Sequence, residues 1–285
     1  MTPLVERARN LELLCAALAI AFVCPSFVLA QEIPDEQVAP PVECDAKNSP
    51  FELLSEKSEF DLEAAVEYFE DMYRSDSSIS EAELTVTKPR RERTLRMKAW
   101  TSGQEKALIV IQSPAREQGT ATLKVGNNLW NYLPRIKRTI RVPPSMMLGS
   151  WMGSDFTNDD LVRESSFKED YAYGLEGRSE EPAGWLIRFD AKPDLVGLWN
   201  RIELVVSEDG HIPLQARYYD RKDRLSRTIY WSEVKEFDGK NIPSRMTIVP
   251  ETEEDQKTEM VYFDIRFDVD IPESTFSLSK LEQKR

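Results

Sequence analysis

Histidine is almost missing from this chain of 285 residues, which has a single one, His211. That scarcity excludes a histidine-rich zinc site and leaves any serine or cysteine nucleophile dependent on one imidazole. His211 directly follows Asp209-Gly210 in what reads as a hairpin turn, a solvated position rather than a catalytic one. Cysteine is nearly as rare, with Cys15, Cys24 and Cys44 all near the N-terminus. Glycine is limited to 11 residues, and none of them builds a phosphate-binding loop or a Gly-x-Ser-x-Gly elbow. Positive charge is also short, at 37 Lys and Arg against 50 Asp and Glu, for a net charge of -13. Nucleic acid is therefore not an expected partner. Carboxylates are plentiful enough for a two-carboxylate hydrolase, but no pair stands out from the solvated faces and turns. No cofactor or metal is implied.

The N-terminus has the pattern of a secretory signal peptide over residues 1–30. Arg7 and Arg9 precede an apolar run from Leu13 to Leu29, and Val28-Leu29-Ala30 suits cleavage after Ala30. A retained membrane anchor is the rival reading; Pro25 and the short run favour cleavage. Leu14 and Val23 precede Cys15 and Cys24, where a lipoprotein signal needs a small residue. Removing residues 1–30 leaves the net charge unchanged and leaves Cys44 without an intramolecular partner. Residues 31–54 read as a flexible, acidic, proline-rich leader. Residues 55–285 then form a single domain large enough for a sizeable core.

The spacing predicts one amphipathic helix. Leu62, Ala65, Val66, Phe69, Met72 and Tyr73 share a stripe, Glu63, Glu67, Glu70 and Asp71 face away, and Asp61 is the N-cap. Almost everything after it reads as strand and turn. Runs at 80–88, 93–101, 105–112, 120–125, 129–133 and 136–142 are separated by proline, glycine and asparagine turns. A polar region from Asn158 to Gly184 holds a short helix near 159–164 and a glycine-rich excursion around Gly174 and Gly177. Further runs lie at 185–190, 199–207, 212–220, 225–237, 242–249 and 258–268. Alternation gives each strand one dry face, as in Trp185, Ile187 and Phe189, or Val261, Phe263, Ile265 and Phe267. Short turns require an antiparallel meander. The expected fold is mainly β: around ten strands in a large, incompletely closed barrel, with the N-terminal helix and lid elements over a hydrophobic cavity.

Two features stand apart. One is basic: Lys88, Arg90, Arg91, Arg93, Arg96 and Lys98 form one cluster and Arg135, Lys137, Arg138 and Arg141 another. Cross-strand pairing with acids is the simpler reading of both, and transient contact with an anionic membrane surface is the sharper one. Arg138 shares a strand face with Ile136, Ile140 and Val142, so on a dry face it would have to be paired or held for a ligand. The other is apolar yet irregular, from Arg141 to Leu161. Its Met146, Met147, Leu148, Trp151, Met152 and Phe156 either close the core or line a ligand site.

The runs Asn128-Leu129-Trp130-Asn131-Tyr132-Leu133-Pro134, Ile140-Arg141-Val142-Pro143-Pro144-Ser145-Met146 and Gly149-Ser150-Trp151-Met152-Gly153-Ser154-Asp155-Phe156 resemble the outer-membrane lipoprotein-sorting protein family, the LolA-like group. Ile271-Pro272-Glu273-Ser274-Thr275-Phe276-Ser277 also fits the family's ending. The resemblance implies a periplasmic carrier: an unclosed antiparallel barrel whose helices cover a cavity for acyl chains or other lipids, with no catalytic residues to carry over. On that reading Trp130, Tyr132, Arg138, Met146, Met147, Leu148, Trp151, Met152 and Phe156 are the candidate ligand-binding residues. The partners implied are lipid or lipoprotein acyl chains, and an inner-membrane transporter or outer-membrane acceptor. The alternative is a non-enzymatic interaction module of an envelope assembly, with a packed interior.

Overall fold

A computed structural model describes residues 60–163, 167–195 and 197–282. The signal peptide, the leader and the first residues of the expected domain lie outside the described residues. The described chain opens on helix α1 (Leu62–Asp71), where Asp61 caps the N-terminus by accepting a 3.0 Å bond from the Ala64 amide. Six strands follow: β1 (Ser77–Lys88), β2 (Arg91–Ser102), β3 (Lys106–Ser113), β4 (Ala121–Val125), β5 (Asn128–Leu133) and β6 (Arg138–Arg141). A long connection then carries a short 3-10 turn (Pro144–Met146) and the helices α2 (Asn158–Arg163) and α3 (Phe167–Asp170). Seven more strands come next: β7 (Tyr171–Glu180), β8 (Ala183–Ala191), β9 (Trp199–Val206), β10 (Pro213–Asp220), β11 (Leu225–Phe237), β12 (Lys240–Pro250) and β13 (Lys257–Phe267). A 3-10 turn (Glu273–Phe276) and helix α4 (Leu278–Glu282) end the described chain.

All thirteen strands belong to one antiparallel sheet, ordered β6-β5-β4-β3-β2-β1-β13-β12-β11-β10-β9-β8-β7. Two meanders are thus joined where the first strand pairs with the last, with Ser78 opposite Phe267 and Thr87 opposite Lys257. The outer strands β6 and β7 do not pair with each other, so the barrel is open, as the strand pattern predicts. Both edges come from neighbouring parts of the chain, and the connection between them runs from one side of the sheet to the other.

The main core fills the concave face. Leu84, Leu95, Ile187, Phe189, Leu204, Ile242 and Ile248 are buried there, with Val66 of α1 packed among them. A second cluster lies on the outer face of the first meander, where Leu108, Val110 and Leu123 are covered by Phe276 and Leu281. The outward residues of β3 and β4 are therefore also dry, which is why β3 reads as a nearly continuous apolar run and why Thr122 and Lys124 of β4 are buried on its other face.

Four expectations are corrected. The glycine-rich excursion is strand β7, with a register shift between Leu175 and Gly177 that leaves Glu176 unmatched beside the second glycine. The face Val261-Phe263-Ile265-Phe267 is broken by a bulge: Glu81 pairs with Asp264 but Ala82 pairs with Tyr262, leaving Phe263 unmatched. Parity reverses there, so Thr258, Met260 and Tyr262 carry the inward face below the bulge, and Phe263 is exposed. Glu70 is buried rather than solvated, because it stands one helical repeat beyond Val66 on the packed side of α1. The face of Arg138, Ile136 and Ile140 is exposed rather than dry, because β6 is the sheet edge.

Gly184 of β8 faces the Val206 carbonyl so closely that an added Cβ would overlap its oxygen. Gly184→Ala is expected to lower stability by about 1–3 kcal/mol through forced separation of β8 and β9. Thermal denaturation beside the native protein checks this, and an unchanged midpoint would contradict the close approach.

Candidate functional site

The connection from β6 to β7 crosses the concave face as a strap, fastened to strand after strand in sheet order. At β4, the Trp151 indole donates to Thr122 Oγ1 at 3.1 Å. At β2, the Arg93 guanidinium donates to the Met152 carbonyl at 2.9 Å. At β13, the fully buried Thr258 accepts from the Asp155 amide at 3.0 Å and donates to its carboxylate at 2.6 Å. At β11, Arg227 holds Asp160 bidentately at 2.7 and 2.8 Å.

The local sequence explains how the strap turns. Met152 (φ 52°) and Gly153 (φ 74°) are both left-handed, and the Ser154 amide bonds back to the Trp151 carbonyl at 3.0 Å. This is a primed two-residue turn, for which glycine is favoured. The Trp151 amide donates to the Phe156 carbonyl at 2.7 Å, and Ser154 Oγ donates to the Trp151 carbonyl, also at 2.7 Å. Each residue of Trp-Met-Gly-Ser-Asp-Phe thus has a structural task, and the tryptophan ring is driven to 2 % exposure.

Beneath the strap and α1 lies a cavity of about 160 Å³. Its apolar wall includes Met97, Ile109, Ile229, Met246, Met260 and Tyr262, and its roof includes Phe69 of α1, Tyr73 in the turn after it, and Trp151, Phe156 and Leu161 of the strap. Tyr73 and Tyr262 stack with ring centres 4.7 Å apart, joining roof to wall. Polar groups collect at particular points: Ser78, Ser80, Thr101, Thr122 and Lys124 on the first meander, Glu70 on α1 and Arg74 in the turn after it, and Asp159, Asp160 and Arg227 across from them. Lys124 Nζ donates to the Gln104 carbonyl at 2.6 Å.

Arg227 and Asp160 are the most constrained of these. The guanidinium carbon lies 4.4 Å from the ring centres of both Trp199 and Tyr218. Asp160 also accepts from the Thr157 amide at 2.7 Å, while its own amide donates to Thr157 Oγ1 at 3.1 Å, a reciprocal cap that starts α2. Burial on its own would raise the Asp160 carboxyl, but the Arg227 charge and hydrogen bonds outweigh it and hold the group below its ordinary value. Glu70 shifts the other way, raised chiefly by burial, although its carboxylate accepts from the Lys168 amide at 2.8 Å.

The candidate ligand residues are divided by this geometry. Trp151 and Phe156 border the cavity, and Met152 packs against the main core. Trp130 and Tyr132 pack in the second cluster on the outer face, because the alternation of β5 turns Leu129 and not its neighbours inward. Arg138, Met146 and Leu148 are exposed near the β6 edge, and Met147 is half-buried. Sequence reasoning did not find Arg227, Trp199, Trp231 or Tyr262; Phe69 and Tyr73 were marked only as the helical stripe. His211 is exposed between β9 and β10, its ring edge-on to Tyr68.

A family model described as uncharacterized protein-like matches residues 103–283. No curated protein matches the sequence. Among solved structures, a DUF1329 family protein from Desulfovibrio piger is 25% identical, with a TM-score of 0.69 over 77% of this chain and 98% of its own. A domain from Vibrio parahaemolyticus named for outer membrane lipoprotein sorting is 22% identical, with a TM-score of 0.67 over 78% of this chain and 99% of its own. A LolA superfamily protein from Nitrosomonas europaea is 21% identical, with a TM-score of 0.65 over 76% of this chain and 98% of its own. These likenesses establish the open-sheet fold.

Removing one member of the Arg227–Asp160 pair strands the other charge. Arg227→Met or Asp160→Asn is expected to cost about 3–5 kcal/mol, and the double variant Arg227→Met/Asp160→Leu to regain much of it. Because the folded Asp160 value is depressed, its stabilisation is present above its ordinary value of 3.8 and lost as pH falls below that. Denaturant unfolding across acid pH checks both: the double variant should lose less stability than the native protein as pH falls through the carboxylate range, from about pH 4 to about pH 2.

Proposed function

Since the chain belongs to the DUF1329 family and has the LolA-like fold, we propose that it is a non-enzymatic periplasmic carrier that takes acyl chains of lipids or lipoproteins into the cavity beneath the strap. The observation that carries this reading is the largely apolar cavity on the concave face, roofed by an element attached mainly through hydrogen bonds. A packed interior would leave no such space.

The size of the cavity bears on how it would work. A volume of about 160 Å³ in a partly open cavity compares with an apolar cavity of roughly 150 Å³ that admits one benzene. A full acyl chain therefore requires α1 or the strap to move outward as it enters. Each methylene buried contributes about 0.8 kcal/mol, so a single chain can offset the lost polar fastenings of the roof. Trp151, Phe156, Phe69 and Tyr73 would then exchange their contacts with the sheet for contacts with the chain. The signal-peptide pattern of residues 1–30 supports delivery to the periplasm, where the carrier would pass cargo between a membrane transporter and an acceptor.

The test is native mass spectrometry of protein purified from its own host, together with uptake of a fluorescent fatty acid. Bound lipid and saturable uptake are expected. Met246→Trp and Ile229→Trp, which fill the cavity from the adjacent strands β12 and β11, should cut uptake at least about tenfold while costing about 1–3 kcal/mol of stability. A protein that is consistently empty and takes up nothing would instead favour the interaction-module reading.

A further inference from the structure

The two basic clusters have different fates in the fold. In the first, Lys98 pairs with Glu81 at 3.2 Å, Arg93 lies 3.6 Å from Glu117, and Arg96 stacks on Phe263. In the second, Arg135, Lys137, Arg138 and Arg141 are all exposed, and none forms an ion pair with a described residue. Arg141 bonds to the Asn128 amide oxygen, which leaves its charge uncompensated.

The local sequence sharpens the contrast, although Glu282 of α4 reaches β6 by accepting from Thr139 Oγ1 at 2.8 Å. From Gln118 to Ser154 there is no acidic residue, in a chain that carries 50 of them and a net charge of -13. The same stretch holds four of the large apolar side chains most open to solvent: Ile136 at 57%, Ile140 at 47%, Met146 at 60% and Leu148 at 51%. All eight residues belong to the β5–β6 turn, the β6 edge and the first turn of the strap. Arg138 and Ile140 pair with Leu133 and Asn131, and so share the sheet face that carries the cavity. Edge strands are commonly protected by charge, but that role accepts either sign and does not call for exposed isoleucine, methionine and leucine.

We propose that this edge docks on an anionic phospholipid bilayer, its four basic side chains at the headgroups and its four apolar side chains entering the boundary below them. Clustered Lys and Arg are drawn to an anionic leaflet, and interleaved apolar groups convert that attraction into insertion. Nucleic acid would use the charge and leave the apolar residues idle. Docking here sets the strap's first turn against the membrane. The inference stands on the edge itself and does not require the cavity to hold lipid.

The experiment is co-sedimentation of the purified protein with vesicles of phosphatidylethanolamine and phosphatidylglycerol, compared with vesicles of phosphatidylcholine alone. Binding to the anionic vesicles, weakened by salt, is expected. Arg135→Ser/Lys137→Ser/Arg138→Ser/Arg141→Ser should weaken it at least about tenfold, and Ile136→Ser/Met146→Ser/Leu148→Ser should also reduce it. Arg90→Ser/Arg91→Ser/Lys222→Ser, which removes exposed charge elsewhere, should not. Equal binding to both vesicle types, no binding at all, an equal loss in the control variant, or patch-dependent binding to a protein but never to vesicles overturns the proposal. Fatty-acid uptake by the edge variants, expected to match native, separates failure of docking from failure of the carrier reading and shows that the variants are folded.

Discussion

The outermost strands of the sheet, β6 and β7, are consecutive in the chain. No short loop can join the two edges of a thirteen-stranded sheet, so the connection has to travel the width of the concave face. The other main features follow from that constraint. The strap exists because the edges must be joined, and the cavity exists because a narrow ribbon cannot fill a broad concavity. The order of fastenings, Trp151 to β4, Met152 to β2, Asp155 to β13 and Asp160 to β11, is the sheet order read from one edge toward the other.

The chemistry of those fastenings separates a cover from a plug. A hydrogen bond contributes about 0.5–1.5 kcal/mol net, because water replaces it when it opens. The apolar floor has no such substitute and stays unfavourable in water until something covers it. A roof held by a few polar links over an apolar floor is therefore exchangeable for other apolar matter at modest cost. The Arg227–Asp160 pair is the exception, since it is buried between Trp199 and Tyr218 and opening it exposes two charges at once. It makes the α2 end of the strap the firmer one, since the Trp151 end is held by the indole's neutral bond to Thr122, by the Arg93 bond to the Met152 carbonyl and by the ring's burial.

Much of the fold was legible because period-two alternation survives wherever a strand has one wet face. The helix stripe, most of the strand runs and the openness of the barrel could be read this way. What was lost follows from places where the period fails. At Phe263 one unmatched residue reverses parity, and nothing in Val-Tyr-Phe-Asp-Ile announces it. β7 was hidden because Gly174 and Gly177 signal a turn, whereas the sheet uses one of them to take up a register shift. Trp130 and Tyr132 have the character of ligand-contacting aromatics, but the C-terminal segment covers the outer face and claims them. Glu70 and Arg227 could not be located, because a charged residue is read as solvated until a partner from another element is known. Of the candidate site, the motif around Trp151 was readable because its turn chemistry is local; the wall opposite it is assembled from strands far apart in sequence.

The pairing of β1 with β13 also bears on how the protein comes into being. Ser78 meets Phe267 across most of the described chain, so the middle of the cavity floor is closed by residues made early and residues made last. A chain emerging from its N-terminus can form the first meander and then the second, but it cannot join them until β13 has appeared. Contacts of such long sequence separation slow folding, because the closure entropy precedes any gain from pairing. The sheet thus stays in two halves until β13 is available, and the cavity floor is the last part of the fold to close.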